Sequence, residues 1–114
     1  MKARRATLSR AEEAPQAHVS ITRAVAQRSL LRIDCRAGHL VVEPHAYGRI
    51  KGGVKVLYCY HVPSDKAMED GEGWKLLRVD DIVDAYPLSQ HFACARSGYQ
   101  SGLSALSMKL YCNL

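Results

Sequence analysis

Between Leu30 and His91 the chain is a succession of short runs in which apolar and polar residues alternate, separated by turn formers. In "LLRIDCR", Leu31, Ile33 and Cys35 alternate with Arg32, Asp34 and Arg36. Successive strand side chains point to opposite faces, so a period of two predicts a strand with one wet face. "AGHLVVEPHAYGRI" follows through Gly38. Its Pro44 has no N–H to offer a ladder, which restricts that position to an edge, a bend or a bulge. Gly52 and Gly53 mark a hairpin turn, and Val54 to Val62 carries the strongest strand pattern of all. "WKLLRVDDIVDAY" reads as one strand breaking at Asp80 and Asp81 and a second from Ile82. Five strands within about 60 residues, with no helical period between them, predict a mainly β chain closed into a small antiparallel barrel.

The flanks carry less pattern. Residues 1–19 show no convincing apolar period and read as a flexible basic arm. "SITRAVAQRSLL" predicts a short helix capped by Ser20 or Thr22, with Ile21, Val25 and Ser29 on one face. Residues 20–92 are then a barrel domain with a leading helix, and 93–114 a C-terminal extension packed on it, in which "MKLYCNL" is a final strand or a helical turn. "PSDKAMEDGEG" is a loop by composition.

Charge is unevenly spread. Of the net +5, most lies in the first 30 residues, where six Lys or Arg face two Glu. A basic arm of this kind either rests on phosphate or is simply solvated. No apolar run reaches the length of a membrane span or forms the core of a secretory signal. Four cysteines without C-x-x-C spacing, three of them in strand-like runs, predict buried thiols in a reducing, cytoplasmic setting. Five histidines without H-x-x-x-H spacing disfavour a metal centre. With no G-x-S-x-G, no phosphate loop and nothing joining a Ser or Cys to a His and an acid, the chain reads as non-enzymatic and free of cofactors.

Arg78 stands out because it falls between Leu77 and Val79. A guanidinium keeps its charge, so it must reach water, a carboxylate such as Asp80 or Asp84, or a ligand. On a two-residue period it shares a face with Trp74, Leu76 and Asp80, where its planar fork can hold a phosphate through two hydrogen bonds. His45 and Tyr47 beside Pro44 form either a hydrogen-bonding wall for an anionic or aromatic ligand or a satisfied structural pair. Tyr58 and Tyr60 share a strand face, suited to core packing or to lining a groove.

Taken together, "VVEPHAYGRIKGGVKVLYCYH" and "LLRVDDIVDAYPLSQHF" resemble the WYL domain, a small barrel of the SH3 or Sm type found mostly in bacterial transcription regulators and defence-associated proteins. The resemblance runs from Ile21 to Phe92 through the leading helix, the "VEP" turn, the Gly-led hairpin and a strand whose motif here is Leu77, Arg78, Val79, Asp80, Asp81, Ile82. The triplet that names the family falls on Lys55, Val56 and Leu57, so only its Leu is kept, and a second basic residue of the strand motif is replaced by Asp81. The resemblance implies a free-standing ligand sensor that binds a nucleotide or nucleic-acid fragment. It implies a site at Arg78, with His45, Tyr47, Lys55, Tyr58 and Trp74 as further candidates. Output would pass to a regulator partner or across a homodimer. The alternative is a protein-interaction or homodimerisation module that takes no small ligand.

Overall fold

The computed structural model describes residues 16–36, 38–62 and 73–114. Most of the expected arm and nearly all of the expected 63–73 loop lie outside them. The chain runs α1 (residues 16–27), β1 (Ser29–Cys35), β2 (Gly38–Ile50), β3 (Val54–Val62), β4 (Gly73–Arg78), β5 (Ile82–His91), α2 (Tyr99–Leu106) and β6 (Lys109–Asn113). Short 3-10 turns at Lys51–Gly53 and Val79–Asp81 link β2 to β3 and β4 to β5.

α1 begins earlier than its capping signals suggest. Residues 16–19 are already helical, and the Thr22 hydroxyl donates back to the Val19 carbonyl at 3.1 Å. A Thr inside a helix satisfies its hydroxyl in this way, so the same residue type that caps a helix also sits within one. Ile21 and Val25 do share the buried face, joined by Ala24, whereas Ser29 opens β1.

All strand pairs are antiparallel, in the order β4-β3-β2-β1-β5. β2 is long enough to have two partners along one side: β1 pairs with Gly38–Val42 and β6 with Ala46–Arg49. The sheet therefore has six strands where about five were expected, the sixth drawn from the C-terminal extension. The two outermost strands, β4 and β5, are consecutive in the chain and meet at the Val79–Asp81 corner, whose Val79 is buried. Pro44 is accommodated by a bulge, because the β2–β3 register shifts between Pro44 and Ala46. The bulge leaves that stretch of the ladder without need of a Pro44 N–H.

Both faces of the sheet are covered. Ile21, Ala24 and Val25 of α1 pack with Leu31, Ile33, Val42, Tyr47, Leu57 and Cys59 on one face. α2 packs on the other, where Tyr99, Leu103 and Leu106 meet Ala46, Tyr58 and Trp74. Fully burying a side chain such as Ile or Leu contributes about 1.5–3 kcal/mol, so α1 and α2 hold the sheet by these faces rather than by helix propensity.

Candidate anion-binding site

Arg78 ends β4 opposite Val56, with Leu76 opposite Tyr58 and Trp74 opposite Tyr60. Residues paired in register share a face, so Arg78, Leu76 and Trp74 lie together, while Leu77, opposite Leu57, packs toward the α1 core. Arg78 is exposed and makes no ion pair among the described residues. It lines a cavity of about 350 Å³ with Cys35, Arg36, Leu76, Leu77, Asp81 and Ile82. β1 ends beside the start of β5, Cys35 pairing with Ile82, and this brings Arg36 to the same opening as Arg78. The cavity thus combines two guanidinium groups, one carboxylate and an apolar floor. Burial, then Asp81 and Asp34, push the Cys35 thiol above its ordinary range, which favours its uncharged form.

The remaining candidates are distributed differently. Tyr58 is stacked on Trp74, ring centroids 4.6 Å apart, and its hydroxyl is pushed up first by burial and then by Tyr99. The Trp74 indole N–H donates to the Ser97 carbonyl at 3.3 Å. Both rings belong to the packing beneath α2. His45 lies at the β2 bulge, fully buried and ringed by Trp74, Phe92 and Tyr99. Its Nε2 accepts the Arg96 backbone N–H at 3.0 Å, so the ring proton sits on Nδ1, which donates to the Glu43 carbonyl at 2.8 Å. Tyr47 is buried on the opposite face, its hydroxyl 2.9 Å from His18 Nδ1, and burial pushes its pKa up to about 12. Lys55, on the same face as Tyr47, is exposed. The six candidates therefore fall into three places: Arg78 at the cavity, Tyr58, Trp74 and His45 under α2, and Tyr47 and Lys55 across the sheet.

Two features had no sequence signal. Arg96 grips the nearly buried Glu43 through Nε and Nη2 at 2.8 and 3.0 Å, and its guanidinium lies 4.3 Å from the Tyr60 ring centroid. Arg36 was legible only as a polar strand position, since its meeting with Arg78 depends on the β1–β5 register. Among the described residues, no group of three or more His, Cys, Asp or Glu is placed to hold a metal ion, and no helix is long and apolar enough to cross a membrane. No family model, curated protein or solved structure matches the chain.

Proposed function

We propose that the protein is a non-enzymatic, cytoplasmic ligand-binding module of the WYL type, an SH3- or Sm-like barrel that takes an anionic ligand, a nucleotide or nucleic-acid fragment, beside Arg78. One observation carries this reading. Arg78 is exposed, without an ion pair among the described residues, at a cavity shared with Arg36 and floored by Leu76, Leu77 and Ile82. A phosphate suits the two guanidinium forks, a flat base suits the apolar floor, and the Asp81 carboxylate can accept an N–H from a base edge.

Trp74, the chain's single Trp, shares a face with Arg78 and supplies a fluorescence signal for titration with a short single-stranded oligonucleotide or a nucleoside monophosphate. Binding is expected to weaken as salt rises, and Arg78→Ala to reduce it by about 1.5–3 kcal/mol. Equal affinity in the variant removes Arg78 from the site.

A second reading, a module that pairs with a regulator or with its own copy, is favoured by Val83 and Tyr86 on the outer strand β5, each 45% exposed. Such an edge can add a strand from another chain. A monomer at all accessible concentrations in solution would count against self-pairing there.

A further inference from the structure

A second concentration of positive charge lies on the face of the sheet opposite Arg78. Arg49 of β2 is the register partner of both Lys55 on β3 and Lys109 on β6, so three cations form one row across three neighbouring strands. Paired residues point to the same face and strands are about 4.8 Å apart, so the row spans about 10 Å. α2 ends at Ser107 in a left-handed conformation, and this turn delivers the chain to β6 with Lys109 opposite Arg49. Lys51 in the adjoining 3-10 turn extends the row beyond the ladder. Arg49, Lys51, Ser107 and Lys109 line an open cavity of about 410 Å³ that has no carboxylate among its lining residues.

Like charges directly opposite one another on a sheet destabilise it, so a bound anion would relieve a row of three. None of these four cations makes an ion pair among the described residues. Linked phosphates match the length of the row without requiring its three side chains to converge on one point, as a single orthophosphate would. The Tyr111 ring beside the row is 41% exposed, but Tyr47 and His18 meet it at steep angles and the Arg49 guanidinium lies over it at 6.0 Å, so a base stacking there would compete with Arg49 for the ring. Linked phosphates also carry charge more densely than phosphodiesters separated by sugars, which suits cations on adjacent strands.

We infer that the Arg49–Lys55–Lys109 row, with Lys51, is an oligophosphate-binding site distinct from the Arg78 cavity. The ligand is a run of linked phosphates, either free or as the tail of a nucleoside triphosphate. Calorimetric titration of the full chain at low salt with tripolyphosphate, ATP and orthophosphate tests it. Tripolyphosphate is expected to bind at least about tenfold tighter than orthophosphate, and Arg49→Gln and Lys109→Gln each to weaken it about tenfold. Arg23→Gln, which removes an exposed charge on α1, is expected to leave binding unchanged. Lys51→Gln lies outside the ladder and gives the same reading should a strand variant fail to fold. ATP binding as tightly as tripolyphosphate assigns the site to a nucleotide tail, and weaker ATP binding to the free chain; both support it. An equal loss in Arg23→Gln, no preference over orthophosphate, or, in the Arg78→Ala chain, stronger binding of an oligonucleotide of matched charge overturns it. Loss in Arg78→Ala with no loss in Arg49→Gln and Lys109→Gln would also overturn it, while leaving the Arg78 reading standing.

Discussion

Arg96 braces two polar residues of β2 that already share the His45 Nδ1–Glu43 carbonyl bond: its side chain grips the Glu43 carboxylate and its backbone N–H closes on His45 Nε2. The buried imidazole is thereby held neutral, and burial, the largest influence on it, lowers its pKa from the usual 6.5. A second ring proton would set an N–H against the Arg96 N–H. Because the unfolded chain binds that proton more readily than the folded one, His45 contributes stability that is complete above about pH 6.5 and is lost as pH falls toward the lower folded value. Urea unfolding across pH 5–8 is expected to show this slope, and His45→Gln, which keeps an acceptor but does not titrate, to flatten it. An unchanged slope would mean that another group dominates. The sequence left His45 open between ligand contact and a structural role. Arg96 is 53 positions from Glu43 and 51 from His45, and no local pattern reports such a meeting.

The elements follow their local patterns closely where one face decides them. β1 alternates as its sequence does, the bulge falls at Pro44, and the Gly52 and Gly53 turn takes positive φ at both glycines. β3 departs from this, because both its faces are covered and its alternation separates two cores rather than core from water. α2 was the least legible element. It has eight residues, and its seat depends on Gly102, where an added Cβ would overlap the Tyr58 hydroxyl. Tyr58 is buried and stacked on Trp74, with the Tyr99 ring beside both, and has little room to yield. Gly102→Ala is therefore expected to destabilise the protein by about 1–3 kcal/mol, even though Ala favours an isolated helix by about 1 kcal/mol. Thermal unfolding measures it, and a stabilised variant would show that α2 is loosely seated.

Across the whole molecule, β2 is the strand on which everything else depends: β3 covers one side, β1 and β6 share the other, and α1 and α2 cover its two faces. Ending the chain at Gly98 would remove α2 and β6 together, strip Ala46–Arg49 of a partner and expose Tyr58 and Trp74. The truncated chain is expected to lose more than about 3 kcal/mol or its cooperative transition in urea. An unaltered transition would make residues 99–114 an appendage. Alternating residues, one Gly pair and one proline were enough by themselves to determine a mainly β chain with the β2–β3 turn in place, because those choices depend only on side-chain direction and backbone freedom at neighbouring positions. Which strands lie side by side was decided by tertiary structure alone. Register across distant segments brought Arg36 to Arg78 and aligned Lys55, Arg49 and Lys109, and it is burial of apolar surface over the whole sheet, not local preference, that selects a register.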